Sequence, residues 1–154
     1  MTKNNFGGWP LFKIILTDEC VQHFAGTIDT IGFRKKRTGA QVHATAEFRR
    51  VLQILLNLVT NAIRYSPDGT SVTIAIAERG NISAVSVLDQ GAGISDKDQE
   101  KVFAKFERLG RSGDGGSGLG LYISRRLARF MGGDLSIEPN QQNGAKFTLT
   151  LPKE

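Results

Sequence analysis

Two asparagines four residues apart, Asn57 and Asn61, stand among Leu55, Leu56, Leu58, Val59 and Ala62. Asparagine is a poor helix former, so two of them in an apolar helical stretch carry a local cost. Arg50, Gln53, Asn57, Asn61 and Arg64 recur at spacings of three and four and line one side of that helix. The bland reading is two amides turned to water. The chemical reading is a pair of amide oxygens beside a hard cation such as magnesium, which keeps several waters and takes few protein ligands. Arg64 would then face phosphates, and Tyr65 would be placed to stack on a base.

A second group is Asp89-Gln-Gly91-Ala-Gly93, at the end of a strand-like run. A carboxylate buried at a strand end is costly unless it meets a donor. An adenine amino group is such a donor, and glycines at 91 and 93 let backbone approach a planar ring. An ordinary Asp-Gly turn is the plainer alternative. The third group is Gly113-Asp-Gly-Gly-Ser-Gly-Leu-Gly-Leu121, which runs directly into a helix. Free amides at a helix N-terminus attract anions, so Gly118, Leu119, Gly120 and Leu121 would meet phosphates. The alternative is a flexible linker, although a linker seldom leads at once into an amphipathic helix. The run is not a Walker A loop, because no Gly-Lys-Ser/Thr follows. It is not a dinucleotide fingerprint either: no strand immediately precedes it, and Ile123 stands where the third glycine would be.

These groups need a scaffold. Apolar spacing predicts a long helix over Ala46–Tyr65, ended by Ser66-Pro67-Asp68-Gly69. Val72–Ala77 alternates as a strand, with Ile82–Leu88 as its hairpin partner. Asp96–Leu109 reads as a short helix and Leu119–Met131 as another, stopped by Gly132-Gly133. Leu135–Ile137 and Lys146–Leu151 read as strands around an Asn143-Gly144 turn. Upstream, Phe12–Leu16 reads as a strand and Thr17–Ile31 as a helix. Gly32–Arg37 and Gln41–Ala44 read as a polar hairpin. Residues 1–10 read as linker, and 11–154 as one domain. The order predicts an α+β layer, helices on one face of a mostly antiparallel sheet.

Composition narrows the classes. The 154 residues are 40% hydrophobic and 23% charged, enough for one sizeable core. No apolar run approaches the ~18 residues of a membrane span, and there is no signal-peptide pattern. A single cysteine, Cys20, and two histidines leave little for disulfides or a metal cluster. Cytoplasmic residence is the expectation. The net charge of +5 suits nucleic acid or a polyphosphate ligand. Only Arg34-Lys-Lys-Arg37 is densely basic, without interleaved aromatics, which argues against a nucleic-acid partner.

Taken in order, the motifs resemble those of the sensor histidine kinases. Asn57-Leu-Val-Thr-Asn61-Ala-Ile-Arg-Tyr65 resembles the N box, and Asp89-Gln-Gly-Ala-Gly93-Ile94 the first glycine box. Val102-Phe-Ala-Lys-Phe106-Glu-Arg108 resembles the F box, and Gly115-Gly-Ser-Gly-Leu-Gly-Leu121 the second glycine box. The wider superfamily includes type II topoisomerases, heat-shock chaperone ATPases and mismatch-repair ATPases. The resemblance implies the Bergerat-type α/β sandwich, a mixed, mostly antiparallel sheet covered on one face by helices. It implies ATP and Mg2+, with Asn61 the principal metal ligand and Asn57 beside it on the metal or its waters. Asn57 and Arg64 would carry the catalytic roles. Tyr65, Asp89, Gly91, Gly93 and Ile94 would form the adenine side. Residues from about Glu107 to Ser117 would form a mobile lid anchored by Phe103 and Phe106. Ser117 through Leu121 would hold the phosphates. Thr17–Ala44 would be the family's variable opening helix and strands.

The family's acceptor histidine lies in a His-Glu-Leu-Arg-like motif of a separate dimerisation domain. His23-Phe-Ala-Gly and His43-Ala-Thr-Ala do not match it and read as structural or surface residues. The implied partners are ATP or ADP, a histidine-bearing dimerisation domain and, indirectly, a response regulator, with the isolated domain a monomer. In the topoisomerase and chaperone branch, a glutamate that activates water takes the place of Asn57. Asparagine cannot accept a proton at neutral pH, which favours kinase over hydrolase. An anti-sigma-type serine kinase and a nucleotide-binding scaffold are the alternatives.

Overall fold

The computed structural model describes residues 12–17, 41–109, 116–139 and 143–153. The expected linker at 1–10, most of the helix at Thr17–Ile31 and the Gly32–Arg37 arm lie outside them.

The element that carries the two asparagines is α1, Phe48–Tyr65. It begins two residues later than its apolar pattern implied. Glu47 caps it, its carboxylate accepting from the Arg49 and Arg50 amides at 3.1 and 3.0 Å. That leaves Ala46 as the last residue of a preceding strand. Val51, Ile54, Leu55, Leu58, Val59 and Ala62 are buried along one face, each larger side chain contributing about 1.5–3 kcal/mol of transfer free energy. Ser66 is extended before Pro67 and ends the helix.

Four strands form an antiparallel sheet beneath α1: β3 Thr73–Arg79, β4 Ile82–Leu88, β5 Asp134–Pro139 and β6 Ala145–Pro152. Their spatial order is β3-β4-β6-β5. The register pairs Val85 with Leu149, Val87 with Phe147 and Ile137 with Phe147. Alternation therefore sends these side chains to one face, where they are buried with Leu135 and Leu151. The second helix, α2 at Gly120–Phe130, packs beside α1 over the same face. Its end is a Schellman motif: Gly133 donates to Ala128 and Gly132 to Arg129, both at 3.0 Å, with Gly132 at φ 81°.

β1, Phe12–Thr17, pairs antiparallel with β2, Gln41–Ala46. Of the expected hairpin, Gly32–Arg37 lies outside the described residues, and the described arm, Gln41–Ala44, pairs with β1. The His43 amide donates to Glu78 at 3.0 Å and Lys153 Nζ to the same carboxylate at 2.9 Å, tying β2 to the sheet. All strand pairs among the described residues are antiparallel.

The short helix expected over Asp96–Leu109 does not form. Two 3-10 turns, Asp96–Asp98 and Lys101–Phe103, take its place. Ala104 is extended, and Phe106 and Leu109 adopt φ of 64° and 47°. A right-handed helix cannot pass through such residues. The Phe106 amide donates instead to the Gly118 carbonyl at 3.0 Å. The segment is therefore held to the glycine-rich run.

Candidate functional site

Asp89 follows the last residue of β4 and is 6% exposed. Its Oδ1 accepts from the Gly91 amide at 2.9 Å and the Ala145 amide at 3.1 Å. Two backbone donors hold one carboxylate oxygen, so the group's orientation is set before any ligand arrives. Close packing enforces the loop. A Cβ at Gly91 would come 2.5 Å from the Tyr65 carbonyl oxygen, and one at Gly93 would come 3.0 Å from that of Gly144. The C-terminal end of α1, the Asp89 loop and the turn into β6 thus meet at one corner.

A cleft of about 630 Å³, open to solvent, begins at that corner. Asn61, Tyr65, Asp89, Gly91, Gly93, Ile94 and Leu121 line it. Seven of the residues singled out by sequence therefore share one wall or another of a single cavity. Val102, Leu109, Ala145 and Phe147 supply apolar lining, and Glu107 and Arg108 also line it. A mostly apolar cleft with a few fixed polar groups suits a planar heterocycle with one polar edge.

The remaining predicted residues lie beside the cleft. Asn57 Nδ2 donates to Ser124 Oγ at 3.1 Å, joining α1 to α2. Its Oδ1 occupies the space where a Cβ at Gly120 would fall. Arg64 is exposed, and a Cβ at Gly116 would come 2.8 Å from its Nη1. The guanidinium and the glycine-rich run are thus neighbours. Ser117 is exposed, and its Oγ accepts from the Leu119 amide at 3.4 Å. Gly118, at φ 70°, packs against Phe106, where a Cβ would come 2.8 Å from that backbone. Phe106 is 63% exposed, with Lys105 Nζ 5.3 Å from its ring centre. Of the expected lid, residues 110–115 lie outside the described set. At its near end, Glu107 Oε1 accepts from the Arg108 and Leu109 amides at 2.9 and 2.7 Å.

Sequence reading missed Ala145, Phe147 and Val102 as cleft residues. Asn143-Gly144 marked a turn, but only the β4–β6 register brings Ala145 to Asp89. It also missed the ion cluster beneath. Arg125 on α2 donates to Glu100 at 2.7 Å and to Asp134 at 3.1 Å, and Arg129 donates to Asp134 at 2.9 Å. Burial raises the Asp134 carboxyl, but hydrogen bonds from Arg129 and Arg125 outweigh it and hold the group below its ordinary value. Glu100 is lowered by its hydrogen bond from Arg125. Among the described residues, no group of three or more His, Cys, Asp or Glu could hold a metal.

A family model described as "Histidine kinase-, DNA gyrase B-, and HSP90-like ATPase" matches residues 46–154. The chain belongs to this ATPase family. Its relatives include the sensor-like histidine kinase SenX3 of Mycolicibacterium smegmatis (strain ATCC 700084 / mc(2)155), 40% identical over 64% of this chain and 27% of that protein. The sensor histidine kinase YcbM of Bacillus subtilis (strain 168) is 32% identical over 94% of this chain and 49% of its own length. The chain thus spans half or less of these two curated relatives. A structure of the mycobacterial sensor histidine kinase MprB superposes with a TM-score of 0.75 at 24% identity, covering 92% of this chain and 97% of that one. That likeness concerns the fold. The ATPase domain described here is of the sensor-histidine-kinase kind, and its α+β sandwich is that of the family. No helix among the described residues is long and apolar enough to cross a membrane.

Proposed function

We propose that this ATPase domain donates the γ-phosphoryl group of ATP to a histidine on a separate dimerisation domain, within a sensor histidine kinase that passes it on to a response regulator. The observation that carries the reading is the buried, pre-oriented Asp89 carboxylate at the end of an apolar cleft. It would accept a hydrogen bond from the adenine amino group, with Gly91, Gly93 and Ile94 along the ring and Tyr65 beside it. A triphosphate leaving that cleft past Asn61 would run toward the amides of Gly118–Leu121, with Arg64 alongside.

Magnesium fits the donors present, since it takes one or two protein oxygens and leaves the rest to water and phosphate. Asn61 would supply one amide oxygen, and Asn57 would hold the ion's waters. Bound there, the ion would neutralise phosphate charge. Transfer forms a bond from the acceptor's ring nitrogen to the γ-phosphorus as the bond to the β–γ bridging oxygen breaks, and ADP leaves. Positioning and charge neutralisation carry such a reaction. A neutral imidazole brings its own lone pair, so no base is needed from this domain. Water attack would need one, and Asn57, an amide bonded to Ser124, cannot serve. Cytoplasmic residence, where ATP is supplied, and a monomeric state complete the proposal.

Titration calorimetry and a phosphate-release assay test it on the chain alone. Binding of Mg-ATP and ADP with slow turnover and no self-phosphorylation is expected. Rapid incorporation of acid-labile phosphate into the chain alone would contradict it.

A further inference from the structure

Arg125 does not reach the cleft, yet it touches what the cleft is built on. Its guanidinium carbon lies 4.4 Å from the centre of the Phe103 ring. Phe103 is buried and meets Phe147 edge-to-face, with ring centres 6.4 Å apart and planes at 85°. Phe147 lines the cleft, as does Val102, the neighbour of Phe103. The same guanidinium bonds both oxygens of Glu100, at 2.7 and 3.4 Å, and Asp134 at 3.1 Å. Its side chain is only 14% exposed.

The segment from Ser95 to Leu109 holds only two isolated 3-10 turns and so needs outside anchors. Two tie it to the glycine-rich side. The Phe106 amide holds the Gly118 carbonyl at one end, and Arg125 holds Glu100 and Phe103 at the other. Arg125 belongs to α2, the helix whose first turn is read as the phosphate cradle. We propose that Arg125 is a positioning residue for nucleotide binding. It sets the spacing between the adenine floor, reached through Phe103 and Phe147, and the amides that open α2. This inference rests on the ATP-binding reading above.

The test is the ATP dissociation constant of the chain and of R125M, R125K and E100Q. Methionine keeps apolar cover over Phe103 and leaves no buried charge unpaired, because Asp134 retains Arg129 and Glu100 is 82% exposed. R125M is expected to weaken ATP about tenfold, with the free protein still folded and its melting temperature only modestly lower. R125K should recover part of that, since lysine keeps one ion pair but not the planar fork. E100Q, a change at an exposed side chain, should weaken ATP about threefold. It keeps the test open if R125M does not fold. The double variant R125M/E100Q should bind no worse than R125M, because both remove one linkage. ATP affinity within about twofold of the unaltered chain in R125M, or in E100Q, would overturn the proposal. So would multiplicative losses in the double variant. Absence of ATP binding by the unaltered chain would overturn the ATP reading and this inference together. Normal binding with an unaffected R125M would overturn this inference alone.

Discussion

Asp89 and Ala145 hold each other twice. The Asp89 amide donates to the Ala145 carbonyl at 3.0 Å, and the Ala145 amide donates back to Asp89 Oδ1 at 3.1 Å. The β4–β6 ladder is thereby extended past its last regular pair, with a side-chain oxygen completing it. A carboxylate built into the ladder is held in one orientation, as the proposed contact with adenine requires.

Replacing that charge should be felt directly. Asp89→Asn keeps the shape but removes the charge-assisted acceptor, a contribution of about 1.5–3 kcal/mol. Adenine nucleotides should bind about tenfold or more weakly by calorimetry, with poorer discrimination against guanine. Unchanged affinity would remove Asp89 from the adenine site.

Gly144 is the neighbour that makes this pair of hydrogen bonds possible. It sits at φ 95°, and a Cβ there would come 2.6 Å from Asp89 Oδ1. Gly144→Ala should lower stability by about 1–3 kcal/mol from backbone strain alone and weaken ATP as Asp89 is displaced. A thermal melt and a binding titration on one sample measure both effects.

The metal assignment is separable from the adenine one. Asn61→Ala should leave the melting temperature nearly unchanged, because the residue is only half-buried. ATP affinity should lose its dependence on magnesium, compared with and without EDTA. Equal magnesium stimulation in the variant would rule out Asn61 as a ligand.

Acid should loosen the cluster under the cleft. Asp134 has a folded pKa below its ordinary value, with hydrogen bonds from Arg129 and Arg125 outweighing the opposing effect of burial. Its stabilising contribution is therefore complete above the unfolded value near ~3.9 and is lost as pH falls through the lowered folded value. Melting temperature followed downward from neutral pH should show that acid limb. Asp134→Asn should start lower at neutral pH and fall less steeply below about pH 4.

Local signals carried much of this site, and their limits are physical. The spacing of Val51, Leu55, Leu58, Val59 and Ala62 announced α1 because one buried stripe dominates its energetics. Its start was misplaced because Glu47, a less usual cap than serine or aspartate, takes the capping role. Asp89 and its glycines were legible as a strand end with special backbone needs. Over Asp96–Leu109 the pattern of Val102, Phe103 and Phe106 mimicked a helix. The chain there answers to tertiary partners, Gly118 and Arg125, that no local window contains. Ala145 and Phe147 enter the cleft through strand register, and Arg125 reaches Glu100 across 25 positions of sequence. Contacts of that kind follow from the fold and cannot be read before it.

Phosphoryl transfer to a partner domain is the reaction on which the proposed function turns. The chain should be incubated with γ-labelled ATP and magnesium, with and without a dimerisation domain bearing an acceptor histidine, and any phosphoprotein tested for acid and alkali stability. Label that appears only on the added domain, lost in acid and retained in alkali, is the predicted result. Acid-stable label on a serine, or no label on any histidine-bearing domain despite tight ATP binding, would contradict it.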